Sequence, residues 1–209
     1  MVERMTSIWR LKDEMNRKSR RKIAFSRIEI KDLLKAWIAI SIAFSIAYGF
    51  SSLIGFIVML FISAFTVGVG FLAHELAHKF VAQHYGYWSE FRADNNMLML
   101  AIAMSFFGFV FAAPGAVLTM GNADRTKDGK ISLAGPLTNI IVALIFLGIS
   151  KITTEPISVI AAYGFTINAW LALFNMIPFS VFDGSKIFRW NKIVWTVLVG
   201  IAVVMLFVL

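Results

Sequence analysis

Long charge-free runs separated by short polar segments set the pattern of this chain. None of five runs contains Asp, Glu, Lys, Arg or His: 36–73, 95–123, 131–150, 156–182 and 193–209. A helix needs about 20 apolar residues to cross the hydrocarbon core of a bilayer, and every run reaches or approaches that length. The first run is too long for one helix, and Tyr48-Gly49-Phe50-Ser51-Ser52 offers a turn within it. The pattern therefore predicts membrane-spanning helices near 33–49, 52–80, 131–150, 157–178 and 193–209.

The composition excludes a soluble globular protein. Hydrophobic residues make up 59% of the 209 residues and charged residues 15%, against roughly 45–50% and about 25% in soluble domains. A chain of this length leaves roughly a third of its unfolded surface exposed after folding, so the apolar surplus cannot be buried. The absence of cysteine excludes disulfides and thiol chemistry, so a bound metal must have nitrogen and oxygen ligands. We expect a mainly α, polytopic membrane protein with about five spanning helices.

Most of the positive charge lies at the N-terminus. Residues 1–35 carry eleven Lys/Arg and five Asp/Glu, which is +6 of the net +8. We interpret residues 1–31 as a basic cytoplasmic arm near anionic lipid, without a nucleic-acid partner, and residues 32–209 as the membrane-embedded core. Within the arm, Ser26 and Glu29 fit the S-x-x-E capping box, which predicts the start of a helix.

The remaining basic residues orient the spans. Positively charged loops stay on the cytoplasmic side, which places the N-terminus, the segment near Lys79 and the loops 121–130 and 186–192 there. The connection 151–156 is then external. Under these assignments the run 95–123 cannot cross, so we expect a re-entrant or β-containing segment. The chain is thus predicted to be a multi-pass protein of the cell membrane.

The second predicted span contains His74-Glu75-Leu76-Ala77-His78. Residues four apart lie on one face of a helix, so both imidazoles can reach a single Zn²⁺. Glu75 could take a proton from zinc-bound water and pass it to a leaving amine. Because ionisable residues inside a membrane are costly and usually functional, a metal site explains this motif better than two structural histidines.

A tetrahedral zinc that keeps one water needs a third protein ligand. His84 has the spacing of H-E-x-x-H-x-x-G-x-x-H, but Val81 stands where that pattern has glycine. A helix that continues through Val81 places His84 about 80° around and roughly 9 Å beyond His78, so we do not expect it to be a ligand. Glu155 is a second candidate, but the charge pattern puts it on the external face.

Asp183 is the third candidate, and topology favours it. It follows the 157–178 span, and two crossings after the second span return the chain to the side where His78 lies. Zinc ligands must lie about 2 Å from one ion, so Asp183 can complete the site only if residues 95–123 do not cross. We therefore predict that His74, His78 and Asp183 hold one Zn²⁺ per chain.

Three motifs together resemble the site-2 protease family, zinc metalloproteases that cleave within the membrane. They are the H-E-L-A-H motif, the stretch Ala134-Gly135-Pro136-Leu137-Thr138-Asn139, and N-x-x-P-x-x-x-x-D-G over residues 175–184. The resemblance implies His74, His78 and Asp183 as ligands, Glu75 as base and Asn175 as an oxyanion or substrate contact. It also implies an edge strand that pairs with an unwound substrate, for which residues 109–117 are our candidate.

The sequence thus predicts an intramembrane zinc metalloendopeptidase, with catalytic motifs at 74–184 and its active site towards the cytoplasm. Its partners would be transmembrane protein substrates and the lipid bilayer. Two alternatives stay open at this point. One is a membrane-anchored gluzincin-type quality-control protease with Glu155 as the third ligand. The other is a non-proteolytic membrane protein that binds or transports metal.

Overall fold

A computed structural model describes residues 24–110, 114–121 and 123–207. Its elements, in chain order, are α1 Arg27–Gly49, α2 Leu53–Ser63, a π-helical turn Ala64–Gly68, α3 Val69–His84, β1 Trp88–Ala93, α4 Asn95–Ser105, β2 Gly115–Met120, α5 Arg125–Ile152, α6 Ile157–Asn175, α7 Asp183–Trp190 and α8 Lys192–Phe207. Most of the predicted arm, residues 1–23, lies outside the described residues.

Three of the described helices are long and apolar enough to cross a membrane. They are the continuous helix Leu53–His84, which comprises α2, the π-helical turn and α3, and the helices α5 and α6. These match the spans predicted near 52–80, 131–150 and 157–178. The turn predicted at 48–52 is confirmed, because α1 ends at Gly49 and α2 begins at Leu53. That α1 and α8 also cross stays a prediction.

Helix α1 begins where the predicted capping box places it, but the side chain of Glu29 does not make the contact that the box requires. The Ser26 hydroxyl accepts a hydrogen bond from the backbone N–H of Glu29 at 3.1 Å, which satisfies one of the free donors at the helix start. In a capping box the glutamate would return to the backbone of Ser26. Instead, the Glu29 carboxylate bonds Lys79 and the backbone of Phe91. Half of the predicted box is therefore correct.

The run 95–123 contains a short helix and a strand. The 11 residues of α4 extend about 16 Å, too short to cross a hydrocarbon core of about 30 Å. Gly108 follows α4 with a φ of +76°, which favours glycine. The two ends of the segment meet, because the N–H of Asp94 donates to the carbonyl oxygen of Pro114 at 3.0 Å. Part of the run is thus β-structured, one of the two predicted alternatives, and its depth in a membrane stays a prediction.

The two strands form an antiparallel pair in which Phe91 lies opposite Val117. The strand predicted at 109–117 was misplaced, because β2 begins only at Gly115, after Pro114, and residues 111–113 lie outside the described residues. Gly115 is required here, since a Cβ would overlap the carbonyl oxygen of Arg92 on β1. Strand β1 was not predicted, because its Glu90 and Arg92 conceal the alternation between outward and buried positions.

Two apolar clusters flank the centre of the molecule. One joins α1, α3, α4 and the sheet through side chains such as Ile40, Phe71 and Phe91. The other joins α5, α6, α7 and α8 around Ile140, Met176 and similar residues. Helices α3 and α5 pack against each other between the clusters. The predicted metal ligands lie at this boundary.

Candidate metal centre

The H-E-L-A-H motif lies on α3, with both histidines facing the same side. His74 and His78 are 6% and 7% exposed, and their Nε2 atoms lie 3.0 Å apart. Asp183, the first residue of α7, brings its Oδ2 to 3.2 Å from Nε2 of His74 and 3.0 Å from Nε2 of His78. The structure thus brings together the three predicted ligands, and they form a group able to hold a metal ion.

The partners of the other ring nitrogens determine what these atoms can do. Nδ1 of His78 faces the carbonyl oxygen of Ile131 at 2.8 Å, and Nδ1 of His74 faces Oδ1 of Asn139. Both partners only accept hydrogen bonds, so in the neutral imidazole each Nδ1 carries the proton and each Nε2 keeps a lone pair. Two imidazole lone pairs therefore converge with a carboxylate oxygen. A cation between them relieves the mutual repulsion of these donors.

The spacing and chemistry of this group fit zinc. Nitrogen and oxygen ligands about 2.0–2.2 Å from a tetrahedral ion lie roughly 3.3 Å from one another, close to the 3.0–3.2 Å found here. Gly135 of α5 borders the same point, and a Cβ there would overlap Nε2 of both histidines. The absence of a side chain at Gly135 leaves the room that an ion requires.

Asp183 is positioned by a tight turn after α6. Ser180 lies in the left-handed region with a φ of 51°, which is uncommon for a residue with a Cβ. The Ser185 hydroxyl donates to the carbonyl oxygens of Ser180 and Phe182. At Gly184 a Cβ would overlap the carbonyl oxygen of Met176, so the turn can close only with glycine there. These contacts fix the first turn of α7 and hence the Asp183 carboxylate.

A cavity of about 1060 Å³ opens from the three donor atoms. Glu75 and Asn175 line it together with β2. Glu75 is 8% exposed and has no hydrogen-bond partner among the described residues. Asn175 donates to the carbonyl oxygen of Leu171 at 2.9 Å, which uses one of the two N–H groups of its amide. A buried carboxylate and an amide donor thus share the cavity with the metal donors.

Comparison with known proteins decides the family. “Putative zinc metalloprotease MJ0611” of Methanocaldococcus jannaschii is 42% identical over 192 residues, which cover 88% of this chain and 97% of that relative. The chain belongs to the site-2 protease family. “Zinc metalloprotease MJ0392” of the same organism is 30% identical over 126 residues, 58% of this chain and 31% of that protein. “Putative zinc metalloprotease Rip3” of Mycobacterium tuberculosis is 31% identical over 123 residues, 56% of this chain and 28% of that protein.

No family model matches the chain, and no solved structure matches it. The relatives nevertheless show that this site-2 protease is a membrane zinc metalloprotease.

Two buried asparagines support the metal centre of this site-2 protease. Asn139 belongs to the motif at 134–139, but a role at the site was predicted for neither asparagine. Asn139 of α5 accepts from His74 and donates to Asn168 of α6 at 3.1 Å and to the carbonyl oxygen of Gly70 at 3.3 Å. Asn168 in turn donates to the carbonyl oxygen of Thr66 in the π-helical turn at 3.4 Å. These bonds orient Asn139 so that its Oδ1, rather than its amide nitrogen, faces His74.

The two other candidate ligands lie elsewhere. His84 is at the end of α3, with its ring 5.7 Å from that of Tyr85, and it is not part of the metal-binding group. Glu155 is exposed in the connection between α5 and α6. Asn139 and Ile131 of α5 lie at the metal centre, and the 13 residues from Asn139 to Ile152, where α5 ends, extend about 20 Å. The arrangement therefore favours Asp183 over either alternative.

Proposed function

We propose that this site-2 protease hydrolyses peptide bonds within or next to the transmembrane segments of membrane-protein substrates. His74, His78 and Asp183 hold one zinc ion per chain. The observation that carries the proposal is the position of the three donor atoms, which converge in a cavity bordered by an open strand edge and a buried carboxylate. That cavity can admit an extended peptide next to the metal.

The chemistry divides between the ion and the side chains. When bound, zinc lowers the pKa of a coordinated water towards about 7 and polarises a carbonyl group. Glu75 accepts a proton from the attacking water and returns it to the leaving amine. It suits this role because it lines the cavity next to His74 and has no other described partner.

Asn175 serves the other side of the reacting carbonyl. Its amide has one N–H bonded to Leu171 and a second that is available to the cavity. We assign this second N–H to the oxygen that becomes negative as water attacks, where a preorganised donor stabilises the transition state. The bond to Leu171 holds the side chain in place and so lowers the cost of orienting it.

The open edge of β2 provides the surface for the peptide. Phe91 and Ala93 donate their N–H groups away from β2, to Glu29 and Asp32. In an antiparallel ladder, the residue directly opposite a residue that points its backbone groups outward does the same. Val117 and Gly115, which lie opposite Phe91 and Ala93, therefore direct their backbone groups away from β1. Residues 114–119 line the cavity. An unwound substrate segment can therefore add to β2 as a third strand.

The membrane location rests on the helices and on charge. Three described helices are long and apolar enough to span a bilayer, and polar groups at this depth are tolerated where they line a protein-enclosed cavity. The N-terminus of α5 and helix α7 carry Lys127, Lys130, Lys186 and Arg189, and Lys186 lines the cavity. We place this end, and the active site, on the cytoplasmic side of a multi-pass protein of the cell membrane.

The test is cleavage of designed single-span substrates in detergent. A panel of Leu/Ala helices, each with one Asn-Gly pair at a different depth, is incubated with the zinc-loaded protein, and the products are read by mass spectrometry. We expect cleavage of some members, inhibition by a zinc chelator and recovery with added zinc. A casein fragment serves as the soluble control.

The outcomes separate the proposal from its alternatives. Cleavage of casein but of no single-span substrate would favour the gluzincin-type reading, in which case Glu155→Ala rather than Asp183→Ala should lose zinc. No cleavage of any substrate by protein with a full complement of zinc would refute the proposed function and favour a non-proteolytic metal protein.

A further inference from the structure

A fully buried ion pair lies immediately next to the metal centre. Glu29 of α1 and Lys79 of α3 are both 0% exposed, and Nζ of Lys79 bonds Oε2 of Glu29. Lys79 directly follows the ligand His78 in the chain, yet neither partner of the pair lines the cavity. The proposed chemistry therefore makes no direct use of either charge.

The pair connects three elements. Oε1 of Glu29 accepts from the backbone N–H of Phe91 on β1 at 3.0 Å. The Ser89 hydroxyl on the same strand donates to the carbonyl oxygen of Lys79 at 3.2 Å. Nζ of Lys79 also lies 4.2 Å from the centre of the Phe25 ring. Helix α1, helix α3 and strand β1 thus meet at two charged side chains.

These contacts occupy the outer edge of β1. Besides Phe91, the N–H of Ala93 donates to Asp32 of α1 at 3.4 Å, and the carbonyl oxygen of Ser89 accepts from Gln83 of α3 at 3.5 Å. Three successive outward-facing residues of β1 are therefore bonded to side chains of the helices. Within the described sheet, this leaves the edge of β2 as the place for another strand.

The contacts of Glu29 and Lys79 explain why this buried pair is ionic rather than apolar. Burying two charges is costly, and a well-packed apolar pair usually stabilises a fold as well or better. An apolar pair could not accept the N–H of Phe91, however, and would not fix the strand along its own direction. The chain of contacts runs from His78 through Lys79 and Glu29 to Phe91, and across the ladder to Val117.

We propose that Glu29 and Lys79 are positioning residues that fix the register of the sheet relative to the metal centre. By doing so they determine which peptide bond of a strand bound to β2 lies at the metal. This inference rests on the proposed function. It assigns to α1, which carries none of the metal ligands, a role in the choice of the cleaved bond.

The test compares two double variants, because either single replacement would leave one buried charge unpaired. Glu29→Met/Lys79→Met removes the acceptor for Phe91 while keeping apolar bulk. Glu29→Gln/Lys79→Met also removes both charges but keeps a side-chain oxygen that can accept from Phe91. Lys127→Met, at the exposed pair with Asp124, is the matched control for a lysine replacement.

Four quantities are measured. The position of the cut, the KM and the kcat are determined with a single-span substrate from the panel that the wild type cleaves, and the zinc Kd is determined by chelator competition. For Glu29→Met/Lys79→Met we expect additional cuts at neighbouring bonds. Its KM should be about tenfold higher, the factor equivalent to one hydrogen bond to a charged group. Its zinc Kd should stay within about threefold of wild type. Glu29→Gln/Lys79→Met and Lys127→Met should keep the wild-type cut.

A purely structural role would lower the yield of folded enzyme without moving the cut. A Glu29→Met/Lys79→Met variant that cleaves only the wild-type bond with an unchanged KM would overturn the inference while leaving the proposed function intact. Failure of the wild type itself to cleave would instead refute the proposed function. If the double variant does not fold, Glu29→Asp replaces it, because it keeps the charge but withdraws the carboxylate from Phe91 by one methylene. Glu29→Asp should give the same spread of products, and a single wild-type cut would equally overturn the inference.

Discussion

Replacing Asn139 by alanine removes the only hydrogen-bond acceptor that the described residues offer to Nδ1 of His74. Asn139 is 1% exposed and is held in place by its hydrogen bonds to Asn168 and to the carbonyl oxygen of Gly70. Without an acceptor, the imidazole is free to place its proton on Nε2, where it blocks the lone pair that a metal requires. Asn139→Ala should therefore act on metal binding through His74, with no contact to the ion itself.

The expected magnitude follows from the contacts that are lost. Removing an outer partner of a ligating histidine typically lowers metal affinity about 10–100-fold, or roughly 1.4–2.8 kcal/mol. The buried Nδ1–H left without a partner costs about 1–3 kcal/mol, which is consistent with that range. Asn139→Asp should lose less affinity than Asn139→Ala, because a carboxylate still accepts from Nδ1, although it can no longer donate to Asn168 and Gly70.

The assay is the zinc Kd of the purified protein in detergent, measured by competition with a chromogenic chelator. Asn175→Ala is the matched control, since it also removes a cavity-side asparagine but has no bond to a histidine. We expect a 10–100-fold weaker Kd for Asn139→Ala and an unchanged Kd for Asn175→Ala. If Asn139→Ala bound zinc as tightly as the wild type, the assignment of the His74 tautomer would be wrong.

Three further predictions test the site and its setting. Glu75→Gln should keep its zinc but lose about 10²–10⁴ in cleavage rate, because an amide cannot accept the proton; a fully active variant would remove Glu75 from the mechanism. Asp183→Ala should lose zinc affinity and His84→Ala should not, as read by the metal content after dialysis, and the opposite result would restore the three-histidine site. Cysteines introduced at Thr126 and Thr153 should react with an impermeant thiol reagent only from the cytoplasmic and only from the external side, respectively; external labelling at Thr126 would contradict the proposed topology.

The features that could be predicted from the sequence depend either on residues that are close together in the chain or on the number of times that the chain crosses the membrane. His74 and His78 are four residues apart, so helical geometry alone places them together, and the structure has them 3.0 Å apart at Nε2. Asp183 is more than a hundred residues away, but the number of crossings fixes which side of the membrane it returns to. That count also requires that residues 95–123 do not cross, which stays a prediction; the structure shows that α4 and β2 lie within this run.

The features that could not be predicted from the sequence depend on pairing between polar residues that are distant in the chain. Asn139 and Asn168 lie within charge-free runs, where the sequence does not indicate that they pair with each other. They meet only because α5 and α6 pack together. From the sequence, Lys79 was interpreted as marking the cytoplasmic end of a span. In the structure it is buried against Glu29, which lies 50 residues earlier in the chain. Strand β1 was hard to predict because its charged residues, Glu90 and Arg92, bond each other, and Glu90 also bonds Ser26 just before α1.

Two networks of buried polar residues that were not predicted both end on α3. On one side, Asn139 and Asn168 tie His74 and the π-helical turn to α5 and α6. On the other, Lys79 and Ser89 tie the end of the motif to α1 and β1. Buried polar groups are costly unless paired, and a paired network holds its elements in one arrangement. The helix that carries both histidines is thus fixed from two directions, one setting the orientation of the ligands and the other their distance from the strand edge where a substrate would bind.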